Sequence, residues 1–458
     1  MTMTECPGPV AAREVTDRHG RVYRIGETDD DLLGRARGWM AALPWTGTAG
    51  IGAAEAAFAA AAAPPHGTGW WGDGRLWWPA GVWLVCRAAV ALPAGRLRER
   101  GRLPARAAVP VGALVALLCC PAVAFAPHAP AARALFAVGG GLAAGLVQAT
   151  CVSTAAKWHP ERRGARTGLV AGGLTCGAAP LVLLAVAGPD PGGHRTAWVA
   201  AGAALCLLVA AAGRELRDPP PNWWPAHADP RRVPRDPRER RARAKNPPAV
   251  RQFGPREAIR TPALWLMWCV LGTAGAGVLG AAVRVVSGAG GEFGGRTVAA
   301  AVCGAVLAAG LGGALFGRLS DGLGRRTALV AACLLPAAAG FAPAALPRGG
   351  GTALFLCCAA LSGLAGGAVG PLLAAMTADC FGENALASVH GVVRTAGLLP
   401  GLAVCAPGTV AGAEGHLGVL MGCAGLLAAA LATFLRAPGG HRIRRIVPNP
   451  HPLGEEMA

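Results

Sequence analysis

Apolar runs of about twenty residues alternate with short polar stretches along most of the chain, and they fall into two sets. A helix crossing the roughly 30 Å hydrocarbon core of a bilayer needs about 20 apolar residues. Runs that meet this requirement lie near 39–63, 76–97, 107–127, 134–155, 167–188 and 196–213, and again near 263–287, 297–317, 327–347, 352–376, 387–411 and 415–435. They predict an all-α membrane protein with twelve transmembrane helices in two pseudo-symmetric six-helix halves, 39–213 and 261–436. Between the halves, Arg214–Arg260 is rich in Arg and Pro, lacks apolar periodicity and reads as a solvated linker. Residues 1–38 and 437–458 are polar tails. The first tail has no short apolar core followed by a small-residue cleavage site. No secretory signal peptide is therefore predicted, and the first span is expected to do its own targeting.

Charge orients these spans. The chain carries 43 Lys and Arg against 25 Asp and Glu, a net charge of +18. With both termini cytoplasmic, 35 of the basic residues fall on the cytoplasmic side. Only Arg75, Arg133, Arg195, Arg296 and Arg348 fall on the outer side, and Arg87, Arg284 and Arg394 lie inside spans. That asymmetry is the positive-inside signature of a multi-pass protein of the cell membrane. The charge is expected to meet anionic lipid headgroups and not nucleic acid.

Composition narrows the function further. Hydrophobic residues make up 53% of the chain and charged residues 15%, against about 25% charged in soluble proteins, which argues against an ordinary soluble enzyme. Neither lysine, Lys157 or Lys245, follows the glycine frame of a nucleotide-binding loop. The 15 cysteines lie mostly in apolar runs with no C-x-x-C spacing, so they read as small packing residues. A membrane redox enzyme would need paired histidines or a cysteine cluster, and only His390 lies as much as a turn inside a span. No cofactor or metal is expected, and no enzymatic activity. Without a soluble signalling domain, the chain is expected to act as a monomer on a small molecule.

Two polar loops carry a repeated pattern. After the second run comes Gly95-Arg96-Leu97-Arg98-Glu99-Arg100-Gly101-Arg102, and after the eighth comes Gly317-Arg318-Leu319-Ser320-Asp321-Gly322-Leu323-Gly324-Arg325-Arg326. Each reads G-x-L-x-acid followed by glycine and arginine. The glycine permits close helix contact, and the acid can receive an arginine across a tight cytoplasmic turn. Such a latch would hold one conformation and release in another, which suits alternating access. The bland alternative is an ordinary basic inside loop.

The pattern and its placement resemble the signature loop of the major facilitator superfamily. Within it, Lys157-Trp158-His159-Pro160-Glu161-Arg162-Arg163-Gly164 is similar to a stretch of the oxalate/formate antiporter family. So are Asp218-Pro219-Pro220 with Asn222-Trp223-Trp224-Pro225, Pro262-Ala263-Leu264-Trp265-Leu266-Met267-Trp268, and Thr377-Ala378-Asp379-Cys380-Phe381-Gly382. The resemblance implies a twelve-helix secondary transporter whose latches include Gly95, Glu99, Arg100, Gly317, Asp321, Gly324, Arg325 and Arg326. It also implies two substrate-binding cations, but Gly313 and Gly397 stand at their positions. Glu99 replaces the usual Asp, and Gly322 the usual Arg. Oxalate is therefore not carried over as the substrate.

Ionisable residues inside spans cost roughly 2.5–3.5 kcal/mol on insertion scales, so each calls for a reason. Glu55 in the first span and Arg87 in the second differ in depth by roughly 7 Å, and an ion pair across these antiparallel neighbours would serve coupling or simply structure. Arg394 in the eleventh span lies one turn before the vacated position at Gly397, and its planar fork suits a carboxylate. The alternative for Arg394 is snorkelling to cytoplasmic headgroups. His390, one turn nearer the cytoplasm, is a second substrate-contact candidate, or a histidine hydrogen-bonded at a helix end. The expected function is secondary transport of a small organic anion, a carboxylate, by exchange or proton coupling. The rival is proton-coupled export of hydrophobic or drug-like compounds.

Overall fold

The computed structural model describes residues 13–16, 20–62, 77–187, 194–225, 237–287, 295–345, 351–405 and 417–438. Arg75, Arg348, Arg442, Arg444 and Arg445, with the linker residues 226–236, lie outside the described residues. The chain begins with a two-stranded hairpin, β1 (Arg13–Thr16) and β2 (Val22–Ile25), and the short helix α1 (Asp29–Leu33). The helices of the first set of runs are α2 (Trp39–Ala61), α3 (Trp77–Ala89), α4 (Ala91–Glu99), α5 (Ala105–Cys119), α6 (Ala122–Phe125), α7 (Pro130–Trp158), α8 (Arg163–Ala187) and α9 (Arg195–Arg214). The linker contributes α10 (Pro237–Lys245) and α11 (Pro255–Ile259). The second set gives α12 (Pro262–Ser287), α13 (Gly295–Leu323), α14 (Arg325–Ala345), α15 (Gly351–Phe381), α16 (Leu386–Arg394), α17 (Leu398–Cys405) and α18 (Leu417–Thr433).

Proline places the breaks within the runs. A proline removes one helical hydrogen bond and crowds the carbonyl four residues earlier. Pro93 accordingly follows the end of α3 at Ala89, Pro121 separates α5 from α6, and Pro400 follows the 3-10 turn Thr395–Gly397 between α16 and α17. Two tight turns need left-handed glycines, Gly101 at φ 71° before α5 and Gly324 at φ 102° before α14. Both belong to the repeated loops.

Among the described residues, ten helical segments are long and apolar enough to cross a membrane. Two predicted spans are not among these ten. Helix α2 has 23 residues, but Glu55, Pro44, Thr46 and Thr48 lower its apolarity, and α18 has 17 residues. Large side chains such as Leu118, Leu207 and Leu311 are exposed along the helices, surface that a water-soluble protein would bury. The two largest clusters of buried apolar side chains divide along the chain. One is built around Ile51, Phe58, Val109, Val147 and Val209, the other around Leu264, Met267, Leu329, Leu373 and Val393.

The described parts of the linker are docked, which corrects the expectation of a solvated segment. Trp223 packs on Trp158 with ring centroids 4.9 Å apart, and Trp224 meets Tyr23 at 5.3 Å. Backbone bonds from Arg24 N–H to Asn222 O (2.8 Å) and from Trp224 N–H to Arg24 O (2.9 Å) tie the hairpin to the same stretch. Phe253 packs on Phe381 at 5.7 Å. Aromatic area removed from water holds this segment in place without any regular periodicity.

Candidate functional site

The glycines of the first and second sets meet along a seam. A Cβ at Gly168 would collide with Gly313 O, one at Gly317 with Gly164 O, and one at Gly95 with Ala387 O. Helices α8 and α13, and α4 and α16, therefore touch backbone to backbone. The seam leaves no room for an arginine at Gly313, where a Cβ would lie 2.7 Å from Gly168 O and 3.1 Å from Gly367 O. Gly397 is less confined, its nearest neighbour being Ala88 Cβ at 3.3 Å.

Each acid of the two repeated loops binds the start of a helix from the other set, and only Asp321 also receives an arginine across its own turn. Glu99 accepts the backbone N–H of Ser388 at 2.8 Å and also its hydroxyl, in the first turn of α16. Asp321 accepts the N–H groups of Gly164 (3.0 Å) and Ala165 (2.8 Å), in the first turn of α8. Each carboxylate thus satisfies orphan donors at the start of a helix from the other set, where the helix dipole also favours negative charge. Arg325 does pair with Asp321. Arg100 and Arg326 are exposed instead. The buried arginine of the first loop is Arg98, which binds both oxygens of Asp218 at 3.0 and 2.8 Å along with Thr154 and Ser153.

A second buried network joins them. Arg163, 1% exposed, reaches Asp379 with one nitrogen and Glu383 with the other. Arg325 Nε donates to Asp379 at 2.8 Å. From the hairpin, Arg21 donates to Glu383 and, at 2.7 Å, to Ala249 O of the linker. Burial alone would raise the Glu383 carboxyl, but Arg21 and then Arg163 outweigh it and hold the group at about 2. Asp218 follows the same balance: burial opposes ionisation, while Arg98, Lys157 and Thr154 hold it at about 2. The sign of the resulting pH dependence follows from linkage. A carboxyl depressed in the folded state contributes stability above its ordinary range, and that contribution is lost as pH falls toward the folded value. The melting temperature is therefore expected to stay level above about pH 5 and to fall between pH 5 and 2. Glu383→Gln should melt lower at neutral pH and lose less on acidification; acid curves parallel to wild type would remove Glu383 from this linkage.

Within the membrane-spanning helices, the candidates converge on a residue that the sequence reading missed. Gln148, on α7 and 5% exposed, accepts hydrogen bonds from Arg87 on α3 at 2.7 Å and from Arg394 on α16 at 3.0 Å. Glu55 and Arg87 form no direct ion pair. Trp83, one turn before Arg87, donates its indole N–H to Glu55 at 3.1 Å, while the Arg87 guanidinium lies over its ring at 5.0 Å. The indole is inserted between the acid and the cation and contacts both, hence the relay in place of the expected pair. His390 is buried one turn before Arg394, its Nδ1 without a partner, and makes no hydrogen bond to the cluster. Among the described residues, neither Arg87 nor Arg394 has a carboxylate within salt-bridge distance. The cue to Gln148 was present as an amide inside the run Leu146-Val147-Gln148-Ala149.

The helices are those of a multi-pass membrane protein, with two half-buried arginines joined through Gln148 and ionic networks at one face. Residues 39–405 match the model of the Major Facilitator Superfamily, and the chain belongs to that family. It is a transporter and not an enzyme. Solved structures show the same fold. The Escherichia coli fucose:proton symporter FucP is 15% identical over 87% of this chain and 98% of its own, with a TM-score of 0.57. A FucP structure in the outward conformation gives 14%, 87% and 98%, with a TM-score of 0.59. The proton:xylose symporter XylE, bound to 6-bromo-6-deoxy-D-glucose, gives 14%, 88% and 97%, with a TM-score of 0.58. No curated protein matches the sequence. Among the described residues, no group of three or more His, Cys, Asp or Glu is placed to hold a metal ion.

Proposed function

We propose that the protein is a secondary active transporter that moves a small organic anion, a carboxylate, across the cell membrane by alternating access. One observation carries this reading: two guanidiniums from opposite ends of the helical region converge on a single neutral acceptor. A guanidinium fork matches a carboxylate, and a half-buried cation pair without a carboxylate partner among the described residues favours an anion. Twelve spans in two six-helix halves, with both termini cytoplasmic, complete the proposal. In it, the basic cytoplasmic face meets anionic lipid and the chain acts as a monomer. Glu55, linked to Arg87 through Trp83, is the group through which a proton would be coupled, and exchange is the other energy source.

Counterflow in proteoliposomes tests the reading. Internal carboxylate is expected to drive uptake of labelled carboxylate from outside. Movement of a lipophilic dye with the proton gradient, without any carboxylate exchange, would favour the rival reading of drug-like export.

A further inference from the structure

Gln148 holds two cations with a group that neutralises neither. Its amide oxygen receives Arg87 at 2.7 Å and Arg394 at 3.0 Å, which engages both of its lone pairs. Its nitrogen is held only by a long contact to Ala171 O on α8, at 3.5 Å. The nitrogen therefore adds little resistance to turning, and what an incoming group must replace is the pair of guanidinium bonds to the oxygen.

On the anion reading above, we infer that Gln148 is a placeholder: its oxygen marks the position that an oxygen of the transported carboxylate takes, and the substrate displaces it to bridge Arg87 and Arg394. A carboxylate there replaces two hydrogen bonds ionised on one side by two ionised on both, and adds the attraction between opposite charges that the amide lacks. Trp83 beneath Arg87 keeps that guanidinium in a fixed plane, so the bridging group is planar and small. Because Arg87 precedes the linker and Arg394 follows it, the bridging anion ties helices of the two sets together. The neutrality of position 148 is then the specificity device. A glutamate there would complete the triad internally and leave nothing for a substrate anion to do.

Binding of acetate, oxalate and succinate to the purified full chain tests this, read by thermal shift and titration calorimetry. At least one of these probes is expected to raise the wild-type melting temperature saturably. Gln148→Glu should melt higher than wild type without any probe, and its apparent affinity should fall by about 100-fold or more. That gain in melting temperature is a result that misfolding would not give. Gln148→Leu, which removes the competing oxygen, should bind the probe as tightly as wild type or more tightly. Undiminished binding by Gln148→Glu would overturn the placeholder role. So would loss of binding by Gln148→Leu as complete as that of Arg394→Ala, because the amide would then be a ligand and not a stand-in. If folded wild type answers none of the three anions, the anion reading itself fails and the inference goes with it.

Discussion

Arg394→Ala is expected to cut carboxylate counterflow about 100-fold while leaving the protein folded. The estimate takes the low end of the roughly 2–5 kcal/mol lost when one partner of a buried, charge-assisted contact is removed, because Arg394 is only half-buried. Folding should survive because Arg394 is half-buried and its one hydrogen bond in the structure goes to a neutral amide. Arg394→Lys should restore part of the rate, since it keeps the charge and loses the planar fork. Initial rates in proteoliposomes, with the melting temperature as a folding control, decide the matter. A folded variant with wild-type counterflow would take Arg394 out of the substrate path.

The second large effect falls on the network around Arg163. Arg163→Ala strips the shared cation from Asp379 and Glu383, which are four residues apart and buried. Removing one member of a buried ionic cluster costs roughly 3–5 kcal/mol because the remaining charge is left uncompensated. Arg325 still holds Asp379, and Arg21 still holds Glu383, so the loss should sit at the low end of that range. The melting temperature is expected to drop clearly, and a cysteine placed in the α15–α16 turn should become easier to label from the cytoplasmic side. A melting temperature within a degree of wild type would mean that the two other arginines carry the site alone.

Much of this architecture was readable because it is local. Twenty-residue apolar stretches fix where helices lie, and Pro93, Pro121 and Pro400 fix where they break, since both effects act within a few residues. The acids of the repeated loops were recognisable as important, but their true partners were not. Ser388 lies 289 positions from Glu99, and Gly164 lies 157 from Asp321, so only the fold brings these pairs together. Arg98 was hidden because charge alone does not reveal burial. Trp223 and Trp224 were the overlooked hint that the linker packs, since large aromatics in a polar stretch usually have something to cover. Gln148 escaped because an uncharged amide attracts less notice than Arg87 or Arg394, although it is the group that unites them.

The contact between Arg21 and Glu383 spans 362 positions of chain. A ribosome delivers the hairpin long before it makes the turn that receives it. The hairpin can dock on Asn222 and Trp224 as soon as those residues emerge, but its ionic clasp on Glu383 must wait until synthesis has passed residue 383. A nascent protein stalled between residues 249 and 383 would hold its hairpin by the linker contacts alone, and proteases should cut it faster than the finished one.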